Sequence, residues 1–200
     1  MSLSVLKAAA DAENADSLHL ARLLILLRSA DKRGKSHGKP VEGITKLAKL
    51  DFLLRYPLYL ERALLSLGKP PESAAVLPRE RTTVETKMIR FRYGPWDGRY
   101  RRWLSLLSAR GLISLSMSGR RIEIGLTDTG RALADGLSER PDFQDLAARG
   151  TVIMKAVGAM PATKLKDFVY QIVPEITGMK WGEEIASGAD TAPSDGEATQ

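Results

Sequence analysis

Between residues 97 and 133 the hydrophobic period changes twice, and this constrains the fold more than any other feature of the chain. Tyr100, Trp103, Leu104 and Leu107 recur at i, i+3, i+4 and i+7, the stripe of a helix with one face in a core. Asp97 precedes the stripe as a cap, and Gly111 follows the expected helix end near Arg110 as a stop. The period then drops to two. Ile113, Leu115 and Met117 alternate with serines, Ile122, Ile124 and Leu126 alternate with Glu123 and Gly125, and Gly119 supplies a turn between the two runs. The stretch Leu-Thr-Asp-Thr-Gly-Arg-Ala-Leu, Leu126 to Leu133, reads as a strand end passing into a capped helix.

Upstream, residues 17–28 carry Leu18, Ala21, Leu24 and Ile25 at helical spacing, with Ser17 as the expected cap. Residues 31–43 read as a basic, glycine-rich loop. A second helix is expected over about 45–56 and a short third over 58–67, after the boundary at Pro57. Residues 72–82 look like an exposed connection. From Met88 to Tyr93 the apolar Ile89, Phe91 and Tyr93 alternate with Arg90 and Arg92, a half-buried strand that Gly94-Pro95 should break.

Downstream, two amphipathic runs carry Phe143, Leu146, Ala147, Ile153, Met154 and Val157, then Leu165, Phe168, Val169, Ile172, Val173 and Ile176. Their apolar stripes must be buried against this chain, a second copy or another subunit. Residues 186–200 are too polar to offset the entropy of ordering and are expected to be disordered. The expected class is mainly α with a small β-hairpin wing, a winged helix-turn-helix over 1–137 followed by a helical extension over 138–185.

The chain of 200 residues carries a formal charge of +6, and that charge is unevenly placed. Residues 79–121 hold 11 basic and 3 acidic side chains, a net of +8 that exceeds the charge of the whole protein. Such a block attracts phosphate backbones, or else forms a solvated face. With no cysteine and two histidines, disulfides, thiol nucleophiles and thiolate or histidine-rich metal sites are excluded. No apolar run approaches the ~20 residues of a membrane span, so a cytoplasmic protein without membrane contact is expected.

Signals for catalysis are weak. Gly34-Lys35-Ser36 has the tail of a phosphate-binding loop, but Ala30 stands where that loop needs glycine, and a helix precedes it where a strand should. Ser36 and Lys39 match Ser-x-x-Lys without its partner motifs. Asp51 falls on an apolar face, where an i, i+4 pair with Arg55 is the simpler account, and His19 reads as a surface or half-buried histidine. We therefore expect no enzyme activity, no metal and no cofactor.

The binding constellation is more coherent. A helix enters the ~12 Å major groove when its outer face is small and polar. Ser105 and Ala109 keep the face of the 97–110 helix low, Arg101 and Arg102 can reach phosphates or guanine edges, and Arg99 flanks them. Arg120 and Arg121 at the hairpin tip would meet the adjacent backbone or minor groove, and Arg90 and Arg92 would extend the footprint. Double-stranded DNA is the expected partner of segment 79–121, with an acidic protein surface as the alternative. Trp96 and Trp103 are read as core.

Two segments resemble a known group: residues 43–57, which include Lys46-Leu47-Ala48-Lys49-Leu50-Asp51, and Phe91-Arg92-Tyr93-Gly94-Pro95-Trp96 through Gly111-Leu112-Ile113. They are similar to the winged-helix middle components of bacterial ABC-three-component conflict systems, which include Lamassu-type defence accessory subunits. The Leu126–Leu133 run is common to many winged-helix regulators. The resemblance covers about residues 17–137 and implies a non-enzymatic accessory subunit bridging an SMC-like ABC ATPase and an effector in antiviral or anti-plasmid defence. It brings no catalytic residues. The alternative is a free-standing winged-helix transcriptional regulator that forms a homodimer.

Overall fold

The fold comes from a computed structural model that describes residues 16–33, 38–81 and 87–186. It is mainly helical with a small antiparallel sheet. Helices α1 (Asp16–Asp31) and α2 (Ile44–Arg55) form its centre, with 11 of 16 residues buried in the first and 10 of 12 in the second. Both helices bury charged side chains along with their apolar ones, among them Arg22 in α1 and Lys49 and Asp51 in α2. Ser17 lies inside α1 and does not precede it.

Strand β1 (Val41–Glu42) lies in the stretch read as loop. Pro57 opens α3 (Pro57–Ser66) at its first position, where a missing N–H costs nothing. Two short 3-10 turns follow, at Pro71–Ala74 and Pro78–Arg81. They are not a purely exposed connection: Ala74 is buried, and Arg149 donates to the carbonyls of Ala74 and Ala75 at 3.1 and 3.2 Å and to Glu80 at 2.7 Å.

Strand β2 (Ile89–Phe91) does not end at a break. Gly94 and Pro95 belong to β3 (Gly94–Trp96), which returns antiparallel to it with Ile89 opposite Trp96. The expected alternation fails as well. Phe91 and Tyr93 are exposed, and Phe91 lies against the rings of Trp96 and Trp181.

Helix α4 (Tyr100–Ala109) buries Tyr100, Trp103, Leu104 and Leu107, the stripe read from the sequence. Its end is a complete Schellman motif: Gly111 takes φ 66°, its N–H donates to Ser108 O, and Leu112 N–H donates to Leu107 O. Strands β4 (Ile113–Ser118) and β5 (Arg121–Leu126) then pair, Ser118 opposite Arg121, across a two-residue turn of Gly119 and Arg120. Val41 of β1 pairs with Ile124, giving a three-stranded sheet in the order β1-β5-β4.

Thr127 caps α5 (Asp128–Glu139) by accepting the Gly130 N–H at 3.0 Å. Helices α6 (Pro141–Ala156) and α7 (Ala162–Ile172) and the short turn α8 (Glu175–Gly178) complete the chain. The stripes of α6 and α7 join the same core: Ile153, Leu165 and Val169 cluster with Leu23, Leu47 and Trp103. Beyond α8 the chain runs back beside β2, where Ile185 N–H donates to Met88 O and Arg90 N–H to Glu183 O, both at 2.8 Å. Of the segment 186–200, Ala186 accepts a hydrogen bond from Tyr59, and the rest lies outside the described residues, as do Gly34 to His37.

Candidate nucleic-acid interface

Helix α4 is held from beneath by a buried charge network. Asp51 of α2 accepts Arg22 Nε at 2.7 Å and the Tyr100 hydroxyl at 2.6 Å, and Arg55 Nε lies 3.4 Å from its other side. Burial alone would push the Asp51 carboxyl up; Arg22 and Arg55 outweigh it and hold the group below the usual carboxylate range. Arg55 continues the chain to Asp97, donating through both terminal nitrogens at 3.2 Å. Asp97 also accepts the Arg99 backbone N–H at 3.0 Å, but it is not the helix cap expected of it: α4 starts at Tyr100, and its N-cap position is Arg99, without a side-chain cap. Against the effect of burial, the hydrogen bonds from Arg99 and the charges of Arg55 and Arg99 bring Asp97 down to about 2.

His19 is fully buried, where a surface or half-buried histidine was expected, with its ring 4.5 Å from that of Trp103. Arg22 lies 3.0 Å from its Nδ1 and can donate only if that nitrogen is unprotonated. Burial, and then the nearby Arg22, Arg55 and Arg99, lower its pKa to about 4.

The arginines of the basic segment divide by environment. Arg90 spends its guanidinium on the carbonyls of Ile176 and Phe91, at 3.1 and 2.8 Å. Arg99 is spent on Asp97 and lies over the Trp103 ring. Arg102 is exposed but reaches Asp16 at 2.6 Å, and Arg121 reaches Glu42 at 3.2 Å. Arg92 lies over the Tyr93 ring. Arg101, Arg120 and Ser105 are exposed, and the two arginines make no ion pair among the described residues.

Arg101, Arg120 and Arg121 converge on one groove of about 420 Å³. Its floor includes the N-termini of two helices, at Gly43–Thr45 of α2 and at Pro161–Thr163 of α7, and neither has a side-chain cap. Free N–H groups and the positive dipole end make such termini attractive to anions. Two smaller chambers share Thr45 with the groove: one of about 280 Å³ holds Lys166 and Tyr93, and one of about 200 Å³ holds Lys49, Tyr93, Trp96 and Arg101.

Sequence reasoning missed Lys49, Thr45, Lys166 and both helix ends. The available signal was Lys46 and Lys49, two lysines in a largely apolar helix. The outer half of the β4–β5 hairpin also departs from expectation. Leu115, Met117 and Ile122 share one face and remain exposed, Met117 at 67%.

Among the described residues, no three His, Cys, Asp or Glu side chains gather as a metal site, and no helix is long and apolar enough to cross a membrane. Comparison with protein-family models, curated proteins and solved structures finds no match.

Proposed function

We propose that this chain is a non-enzymatic winged-helix subunit that contacts double-stranded DNA and docks onto a protein assembly. The observation that carries the reading is the convergence of Arg101 from α4 with Arg120 and Arg121 from the hairpin turn on one groove, with Glu42 as its one lining carboxylate. The order α1, β1, α2, α4, β4, β5, with β1 bonded to β5, supports a winged helix-turn-helix in which α3 and the β2–β3 hairpin precede the recognition helix. The exposed Leu115, Met117 and Ile122 favour a protein partner beside the DNA contact. Together with the resemblance to conflict-system middle components, this supports an accessory subunit of an SMC-like ABC ATPase complex.

The test is a titration of a mixed-sequence duplex at several salt concentrations, comparing wild type with an Arg101→Ala/Arg120→Ala variant. Each phosphate contact contributes roughly 0.9 to the log–log salt slope, so the double variant should lose about two. Absence of binding at about 50 mM salt overturns the DNA reading. A tight homodimer in gel filtration moves it to a free-standing dimeric regulator.

A further inference from the structure

The chamber behind the groove contains a cation without an anion. Lys49 is 1% exposed, lines the chamber of about 200 Å³, and makes no ion pair or hydrogen bond among the described residues. Its Nζ lies 3.8 Å from where a Cβ would stand on Gly94, beside the turn that carries Tyr93. An ammonium withdrawn from water without a partner is costly. Burial, and then the like charge of Lys166, lower its pKa to about 8, so it remains mostly charged at neutral pH. The same chamber is lined by Arg101, by Thr45 at the uncapped N-terminus of α2, and by the aromatic side chains of Tyr93 and Trp96. Two cations with no carboxylate in the lining, next to aromatic side chains, match a ligand that combines an anion with a planar ring.

We propose that this chamber binds a phosphate monoester carried on a nucleoside, with Lys49 and Arg101 on the phosphate, the α2 N-terminus beside it at Thr45 and the base against Tyr93 or Trp96. The phosphate is supplied either by a free nucleotide or by the phosphorylated end of a nucleic-acid strand. This site goes beyond the duplex contact and does not depend on it.

The experiment is calorimetric titration of the full chain at pH 7 with AMP, with adenosine, and with a short single-stranded oligonucleotide with and without a 5′-phosphate. Wild type should bind AMP and not adenosine. Lys49→Met should weaken AMP by about tenfold or more, the loss of one charge-assisted contact. Arg110→Ala, an exposed change away from the chamber, should leave AMP binding unaltered. Because Met removes a buried charge, a raised melting temperature will show that the variant is folded. Tighter binding of the 5′-phosphorylated strand than of AMP identifies a strand end, and equal or weaker binding identifies the free nucleotide; both uphold the chamber. AMP binding no better than adenosine, or a folded Lys49→Met variant that binds AMP like wild type, overturns it. A chain that takes AMP but no duplex upholds the chamber and overturns the DNA interface, so the two readings fail separately.

Discussion

Arg22 and Asp51 meet with Nε 2.7 Å from Oδ1, at side-chain exposures of 1% and 0%. This pair joins α1 to α2, and through the Tyr100 hydroxyl it also fixes α4. Replacing a buried pair with apolar side chains is often harmless, but removing one partner leaves charge in a medium that solvates it poorly. Asp51→Asn takes away the anion that Arg22 and Arg55 share. The expected loss is about 3–5 kcal/mol in urea denaturation, and a loss under about 1 kcal/mol means the network contributes little.

His19 sets an acid limit well above the carboxylate range. Its folded pKa is about 4 against an ordinary 6.5. Above pH 6.5 the ring is neutral in both states and stability is full. Below it the unfolded chain takes up a proton that the folded chain refuses, so stability falls until about pH 4, by a total of about 3 kcal/mol. Denaturation midpoints between pH 7 and 4.5 should show this fall, and His19→Phe should flatten it.

The stretch from Asp97 to Leu133 was legible because each element there has its own period and a residue that stops it: Gly111, Gly119 and Thr127. Strand β1 was not, since two residues have no period and Val41 is a strand residue only through its pairing with Ile124 of β5. Phe91 and Tyr93 alternate with arginines as a half-buried strand does, yet the β2–β3 hairpin leaves both exposed. Net charge located the basic segment but could not separate Arg90, bonded to a carbonyl of α8, from Arg101, which faces the groove. Lys49 became noticeable only once α2 was seen to be enclosed on all sides.

Lys49 carries a stability cost with its own pH signature. Its folded pKa of about 8 lies below the ordinary 10.5, so the buried charge penalises the fold fully at pH 7. The penalty fades as pH rises from about 8 to 10.5, because the folded chain releases its proton first. Lys49→Met should therefore stabilise the protein at pH 7 by up to about 3 kcal/mol, with an advantage that shrinks at alkaline pH. Paired denaturation curves at pH 7 and at alkaline pH check this. An equal gain at both removes the buried charge as its cause.

Gly130 is fixed by space. A Cβ there would stand 1.9 Å from the Leu112 carbonyl oxygen, a backbone atom that cannot swing aside. Gly130→Ala should cost about 2–4 kcal/mol by forcing α5 away from the end of α4. Gly136→Ala, in the same helix with nothing within 4 Å, should instead add up to about 1 kcal/mol from helix propensity. Thermal midpoints that move in opposite directions confirm the contrast. A neutral Gly130→Ala shows that the two elements separate easily.

On the proposed duplex contact, the basic segment should divide into two classes of arginine under alanine substitution. Arg90 bonds the Ile176 carbonyl and Arg99 grips Asp97, so their variants should lower the melting temperature and leave the duplex salt slope unchanged. Arg101 and Arg120 both line the groove without an ion pair among the described residues, so their variants should keep the melting temperature. Each should reduce the slope by roughly one. Arg102 and Arg121 are tied to Asp16 and Glu42 through exposed pairs that contribute little to stability. Their guanidiniums can exchange those carboxylates for phosphates, so Asp16→Asn or Glu42→Gln should tighten duplex binding at low salt and do so less at high salt. If Arg90→Ala flattens the slope as much as Arg101→Ala does, the duplex reaches the β2–β3 hairpin and the interface is wider than the groove.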